Sequence, residues 1–282
     1  GRIYISYSKP GRGGGHTALM RARLDAASMP ATLIDQEEIF AADPPTRGRV
    51  HFAGRIEFDE ESFVYLSIGD RGRMEQSQDI SNAAGNVYRF HDDGRIPQDN
   101  PFVDNPEAIA SIYSYGHRNP QGMAMHPGTG AIWTHEHGPK GGDEINIIRK
   151  GANYGWPVVT YGIDYDNSII STETEREGME PPLHYWDPSI APSGMEFIQG
   201  DRYEGWSGAL MVGALKYQML VRVELEGEQF VSEERFLEGI GRIRELEMGP
   251  DGYLYVLAEG PSYLMRLVPA TENATATATA TK

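Results

Sequence analysis

The sequence predicts an all-β protein of the propeller class, and three observations lead to this prediction. The 282 residues include 33 glycines and 18 prolines, a composition rich in turn formers. Apolar residues show almost no helical periodicity, with room for about one helical turn over residues 106–112. Short strand-like runs joined by Gly, Asp and Pro turns recur instead, and their starts are separated by roughly 50 to 70 residues.

Four pairs of predicted strands define the repeating unit. The pairs run from 55–58 to 63–69, from 122–127 to 131–134, from 194–198 to 209–213 and from 244–248 to 253–257. The chain also opens on a predicted strand at residues 1–5. Spacing of this length favours four-stranded blades with long insertions, and a two-sheet sandwich is the alternative. We expect a propeller domain over residues 1–270 and a low-complexity Thr/Ala tail over residues 271–282.

Composition excludes several classes of chemistry and of partner. There is no cysteine, which rules out disulfides, thiolate nucleophiles and iron–sulfur clusters. The 25 basic and 41 acidic residues give a net charge of −16, which disfavours nucleic acid and anionic lipid as partners. An anionic ligand therefore needs a local basic cluster. No apolar run has the length of a membrane span.

A histidine and an aspartate flank two consecutive predicted strands. His51 precedes the strand at 55–58, and Asp70 follows the strand at 63–69. If these strands are neighbours in one blade, both side chains reach the same end of the sheet. A carboxylate bonded to one imidazole nitrogen fixes the tautomer and leaves the other nitrogen as a general base. A histidine without a catalytic role is the alternative.

Four cations stand next to turn or strand-edge signals: Arg118, Lys216, Arg242 and Arg244. On a strand, Arg242 and Arg244 point to one face, where two guanidiniums repel unless an anion lies between them. A solvated pair at a strand edge is the alternative.

The loop that contains Gly138, Pro139, Asp143 and Glu144 offers oxygen ligands for a hard cation. Calcium takes carboxylates and backbone carbonyls from irregular loops, although this spacing is not that of an EF-hand. A zinc site at His135 and His137 would lack a third ligand.

The motifs around these residues resemble the family of soluble quinoprotein glucose dehydrogenases and aldose sugar dehydrogenases, the glucose/sorbosone dehydrogenases. The similarity is greater to the shorter aldose sugar dehydrogenase branch. The matching stretches run in order from His51 to residue 270: 51–55, 69–72, 94–101, 116–122, 136–139, 142–146, 153–157, 191–194, 214–216 and 242–244.

This resemblance implies a six-bladed propeller that holds pyrroloquinoline quinone (PQQ), part of whose N-terminal blade this chain lacks. It implies that the cofactor is bound by Arg118, Asn119, Ser189, Lys216, Arg242 and Arg244. It also implies a calcium ion on the carbonyls of Gly138 and Pro139, and a second calcium on Glu144 and the Tyr154 carbonyl.

The reaction that the resemblance implies is the oxidation of an aldose at C1 to a lactone. His51, oriented by Asp70, removes the hydroxyl proton, and a hydride passes to PQQ while calcium and Arg118 stabilise the charge that develops. The electrons then leave to an external acceptor. Family habit also implies a periplasmic or extracellular location.

The sequence departs from the family pattern at one strand, where Asn86 replaces the usual lysine. Two other functions stay open: a non-catalytic, calcium-stabilised propeller that binds sugar or protein, and a calcium-propeller lactonase.

Overall fold

The structure is a computed structural model that describes residues 1–260 and 262–270. The predicted tail at 271–282 lies outside the described residues. Within them the chain is all-β: eighteen strands and one short 3₁₀ helix, Met74–Gln78. The chain divides into two compact units, the first comprising Gly1–His126 and Gly130–Ser189, and the second Pro127–Thr129 and the chain from Ile190.

The first unit contains three antiparallel sheets in which each strand pairs with the next along the chain. The first sheet has three strands: β1 Arg2–Gly11, β2 Gly14–Asp25 and β3 Thr32–Ala41. The second has four: β4 Ile56–Phe58, β5 Val64–Ile68, β6 Asn86–Phe90 and β7 Ile112–Tyr115. The third also has four: β8 Pro120–Met125, β9 Ile132–Glu136, β10 Asp143–Ile147 and β11 His184–Trp186.

The second unit contains two more sheets of the same kind. One has four strands: β12 Pro192–Phe197, β13 Leu210–Ala214, β14 Leu220–Glu226 and β15 Gln229–Phe236. The other has three: β16 Arg242–Met248, β17 Leu254–Glu259 and β18 Tyr263–Arg266.

These sheets are propeller blades, and the prediction of a propeller is confirmed, but the prediction of six blades is wrong. The described residues form five blades, which together take up the chain from Arg2 to Arg266. The sandwich alternative fails because the strands form five separate sheets rather than two.

Burial on both faces explains why the strands alternate so weakly in sequence. Every residue of β5 and β6 is buried, including Leu66, Val87 and Tyr88. Strands covered on both sides by neighbouring blades do not need a polar face. All four predicted strand pairs are present, and the bounds differ by at most two residues.

The helical turn expected at residues 106–112 is absent, because these residues form turns that lead into β7. The Asn105 side chain accepts a hydrogen bond from the Glu107 backbone N–H at 3.0 Å, and such local turns compete with a helix. Within the described part of the chain, no helix is both long and apolar enough to span a membrane.

Candidate active site

His51 and Asp70 meet at one end of the second sheet, as predicted. His51 Nδ1 lies 2.6 Å from Asp70 Oδ1. The Asp70 side chain is 2% exposed and that of His51 18% exposed, so the carboxylate is buried and the imidazole is open at one edge. Because Nδ1 is taken by Asp70, Nε2 is the nitrogen available to a substrate.

Gly69 allows the segment that carries His51 and the segment that carries Arg118 to approach each other closely. A methyl group at this position would lie 2.5 Å from the His51 carbonyl and 3.0 Å from the Arg118 carbonyl. No side chain fits there, so a glycine is required for close approach rather than for backbone freedom. The motif Gly69-Asp70 therefore brings His51 and Arg118 to one point.

Trp156 completes the environment of Asp70, and sequence reasoning gave it no role. Its indole Nε1 donates to Asp70 Oδ2 at 2.8 Å, while the Gly72 backbone N–H donates to Oδ1 at 2.7 Å. With His51, three donors hold one buried carboxylate, which keeps its orientation fixed. The only sequence signal for Trp156 was its place in the stretch 153–157.

Arg118 lies beside this group with its guanidinium largely buried, since the residue is 5% exposed. Its Nη1 donates to the His137 carbonyl at 2.8 Å and to the Gly138 carbonyl at 3.2 Å. The guanidinium carbon lies 5.4 Å from the centre of the Trp156 ring. Its Nε has no hydrogen-bond partner within the described residues, so one donor of the guanidinium remains unused.

A buried network under Arg118 is a second feature that the sequence did not reveal. Glu136 accepts hydrogen bonds from the backbone N–H groups of Arg118 at 2.5 Å and Asn119 at 3.2 Å. The same carboxylate lies 3.0 Å from His117 Nδ1, and His117 Nε2 lies 2.9 Å from Ser114 Oγ. Glu136 thereby fixes the backbone that carries the predicted cofactor residues Arg118 and Asn119.

Ser189, a predicted cofactor contact, bonds to the loop that carries Gly138. Its hydroxyl donates to Asp143 Oδ2 at 2.6 Å, and Asp143 Oδ1 accepts from the Gly138 N–H at 2.9 Å. Gly138 and Pro139 are both buried. Asp143 therefore shapes the turn whose carbonyls are the predicted calcium ligands.

Glu144 and Tyr154 line one small pocket, together with Glu136 and the cation Arg118. Burial raises the pKa of Glu144 from 4.5 to about 8, and the neighbouring carboxylates Glu136 and Asp143 add to the increase. A cation bound beside these carboxylates would stabilise the ionised form of Glu144. No group of three or more Asp, Glu or His side chains in the described residues is arranged as a metal site. The predicted sites consist mainly of carbonyls, so their assignment stays a prediction.

In the second unit, Arg242 and Arg244 are exposed and Ile243 between them is buried. The strand has a bulge at Arg244, whose Nε donates to Glu259 Oε2 at 2.6 Å. Lys216 is exposed after β13, with its Nζ 5.1 Å from the centre of the Tyr217 ring. All three cations are accessible, and their role in binding a cofactor stays a prediction.

The loop over residues 161–180 carries an exposed aromatic residue toward Arg118. Tyr165 is 68% exposed, and the centre of its ring lies 6.0 Å from the Arg118 guanidinium carbon. An isolated bridge between Lys140 and Ile163 ties the loop to the Gly138 turn. The loop therefore stands next to the buried cation of the site.

The fold is a β-propeller, and one end of its second sheet carries an imidazole bonded to a buried carboxylate next to a buried guanidinium, an arrangement suited to proton transfer. The family model described as Glucose / Sorbosone dehydrogenase matches residues 1–266. The chain belongs to the glucose/sorbosone dehydrogenase family of oxidoreductases.

Individual relatives agree with this assignment. The chain is 41% identical over 274 residues to the aldose sugar dehydrogenase YliI of Escherichia coli K12, a match that covers 95% of this chain and 73% of that protein. It superimposes on a crystal structure of a glucose dehydrogenase with a TM-score of 0.91 and 40% identity, covering 95% of this chain and 78% of the other. The PQQ-bound aldose sugar dehydrogenase of Streptomyces coelicolor gives a TM-score of 0.76 at 26% identity, covering 94% and 74%.

Proposed function

We propose that this chain oxidises aldose sugars at C1 to lactones, with PQQ as its cofactor and His51 as general base. The observation that carries the proposal is the 2.6 Å contact between His51 Nδ1 and Asp70 Oδ1, which leaves Nε2 at the accessible edge of the ring. Membership of the family supplies the reaction class, and this contact supplies a residue able to start it.

His51 acts on the hydroxyl group at C1. Its Nε2 accepts the hydroxyl proton, and the ring becomes positively charged as the C1 carbon is oxidised to a carbonyl. Asp70 stabilises the charged ring through Nδ1 and keeps it in the tautomer that can accept the proton. Trp156 and the Gly72 N–H hold Asp70 in place, so the base needs little reorganisation during the reaction.

The chain has the charge that a cofactor with several carboxylates requires. Arg118 keeps an unpartnered buried Nε within the described residues, and Lys216, Arg242 and Arg244 are exposed cations in an otherwise acidic protein. Bound PQQ would supply the two-electron acceptor for the C1 hydrogen, and calcium a Lewis acid at the quinone oxygen. The residues proposed to hold PQQ are Arg118, Asn119, Ser189, Lys216, Arg242 and Arg244.

The carbonyls of Gly138 and Pro139 are proposed as ligands of the calcium ion at the cofactor. The Gly138 carbonyl accepts a hydrogen bond from Arg118 Nη1 at 3.2 Å, so its oxygen faces the buried cation of the site. We propose that Glu144 and the Tyr154 carbonyl hold a second calcium, which would balance the negative charge of Glu144 beside Glu136 and Asp143.

Turnover requires that the electrons leave the protein. We propose an external electron acceptor and a periplasmic or extracellular location, both of which follow from the resemblance to the family.

Reconstitution with an omission series tests this function. The purified chain is mixed with calcium, PQQ, an aldose and a redox dye, and dye reduction is followed while each component is left out in turn. We expect dye reduction only in the complete mixture, together with one lactone per two electrons, measured by NMR. A chain that binds PQQ but forms no lactone from any aldose would refute the proposed reaction.

A further inference from the structure

Arg71, the residue that follows Asp70, donates hydrogen bonds to the main chain before His51 and packs against the side chain after it. Arg71 Nη2 donates to the Gly48 carbonyl at 2.5 Å, and Arg71 Nη1 donates to the Val50 carbonyl. Its guanidinium carbon lies 3.3 Å from the centre of the Phe52 ring. The Arg71 side chain therefore contacts three residues of the segment 48–52, which contains His51.

This segment has little packing of its own. Arg49 and Val50 are exposed, with half of the Val50 surface open to solvent. His51 has φ at 52°, in the left-handed region that non-glycine residues adopt only when other contacts hold them there. On the C-terminal side of His51, the Phe52 carbonyl accepts a hydrogen bond from Thr17 Oγ1 at 2.7 Å. On the N-terminal side, the described hydrogen bonds to the carbonyls of Gly48 and Val50 come from Arg71.

Burial of the Arg71 guanidinium costs free energy. The residue is 4% exposed, and desolvation lowers the pKa of its guanidinium. Its own φ is 59°, and its Nε has no hydrogen-bond partner within the described residues. Arg71 also lines a cavity of about 130 Å³. Burial of a cation with an unsatisfied donor costs free energy, so filling space does not by itself explain this arginine.

We propose that Arg71 is the positioning residue for His51. Asp70 holds the imidazole and Arg71 holds the backbone that carries it, so two consecutive residues set both the direction and the location of the base. The guanidinium fork is suited to this role because two carbonyls of one loop can accept from its two terminal nitrogens at once. A lysine would supply the charge without the fork. The proposal rests on the proposed function only where activity is measured.

The first test needs neither cofactor nor sugar. The chain is labelled with ¹⁵N-histidine, and the Nδ1–H resonance of His51 is assigned by its loss in His51→Gln. We expect Arg71→Met to lose this resonance to solvent exchange. The matched control is Arg73→Met, which removes an exposed arginine two residues away and should keep it. Hydrogen exchange of the peptide 46–54 should likewise increase in Arg71→Met, while that of β9 stays unchanged.

The second test uses the reconstituted enzyme. Misplacement of the base by a fraction of an ångström to 1 Å should lower kcat by about 10²-fold in Arg71→Met, with KM changed less than about twofold. If Arg71→Met does not fold, Arg71→Lys is used instead and should show the same changes with a smaller loss. The proposal is overturned if the folded variant keeps the His51 resonance and the slow exchange of residues 46–54. A chain in which these signals change as expected but which oxidises no sugar would keep the positioning role and refute the proposed function.

Discussion

Asp70 is the residue on which the geometry of the site converges. Its carboxylate accepts from Trp156 and Gly72 and contacts His51, all within 2.8 Å. Because a carboxylate has no donor, these three groups can approach it only as donors, and this fixes His51 as an Nδ1–H tautomer. The base of the proposed reaction therefore depends on a neighbour that never touches the sugar.

Replacing Asp70 with asparagine tests this dependence. In Asp70→Asn the amide nitrogen can face His51 and favour the wrong tautomer, and the negative charge that stabilises the imidazolium is lost. We expect kcat of the reconstituted enzyme to fall by about 10²-fold or more, with KM nearly unchanged. Steady-state kinetics measure this, with Asp93→Asn as control because Asp93 pairs with Arg95 on a separate turn. A loss of less than about threefold would mean that Asp70 has no part in catalysis.

The contact between His51 and Asp70 could be predicted from sequence because the two residues flank neighbouring strands. Their separation is 19 residues, and pairing of β4 with β5 brings the strand ends together. Trp156 could not be predicted, because it reaches Asp70 across 86 residues and from a different blade's loop. Nor did the sequence indicate that Glu136 is buried and accepts hydrogen bonds from the backbone of Arg118 and Asn119. Roles that depend on packing between blades leave no local signal.

Among the elements, the loop over residues 161–180 has no strand or helix pattern in its sequence, and it approaches Arg118. It has irregular structure throughout, and it is anchored by the bridge from Lys140 to Ile163 and by stacking of Tyr161 on Tyr185 at 3.9 Å. Tyr165 stands exposed between these anchors and Arg118. Exposed aromatic rings next to a site are suited to packing against the apolar face of a sugar ring.

We therefore expect Tyr165 to contribute to binding of the sugar rather than to chemistry. In Tyr165→Ala, KM for the best aldose should rise about 5- to 20-fold with kcat changed less than twofold, whereas Tyr165→Phe should resemble the wild type. The matched control is Tyr263→Ala, another exposed tyrosine, which lies on β18. An unchanged KM in Tyr165→Ala across a panel of aldoses would exclude contact with the sugar.

A bulge in β16 shows where strand periodicity stops being predictive. The pattern Arg242-Ile243-Arg244 predicts two cations on one face, and both are exposed around a buried Ile243. The register nevertheless shifts between Ile243 and Glu245, and Arg244 pairs with Glu259. Bulges redirect side chains at functional positions, and a count of alternating residues does not detect them.

For the whole molecule, sequence reasoning gave the propeller class but not the number of blades. Turn chemistry and strand spacing are local properties, so they predict blades well. The number of blades is not a local property, and the expectation of six came from the resemblance to the family rather than from these residues. The five observed blades leave the predicted strand pairs intact.

Stability of the whole chain should depend on pH through Glu144. Its pKa is raised from 4.5 to about 8, so the folded state favours the neutral carboxyl. The stability linked to this group is fully present below about pH 4.5 and is lost as pH rises through about 8. Without calcium, Glu144→Gln should match the wild type at pH 4.5 and exceed its Tm by at least about 2–4 °C at pH 9, since one pKa unit corresponds to about 1.4 kcal/mol.

Calcium adds a second arm to this experiment. If Glu144 is a calcium ligand, the ion should raise the Tm of the wild type at pH 9 and leave Glu144→Gln unaffected, with magnesium as the control ion. Differential scanning calorimetry measures both effects. Tm values of wild type and variant that stay equal from pH 4.5 to 9, with or without calcium, would contradict both the raised pKa and the calcium site.

The most direct test of the central claim compares His51→Gln with the wild type after reconstitution with PQQ and calcium. PQQ binding is titrated first, so that a loss of activity can be separated from a loss of cofactor. His91→Gln serves as control, because His91 follows β6 and its ring packs against Phe63. The account predicts unchanged PQQ affinity, a kcat lower by about 10²- to 10⁴-fold in His51→Gln, and normal turnover in His91→Gln. Turnover by His51→Gln within about threefold of the wild type would contradict the assignment of His51 as the base.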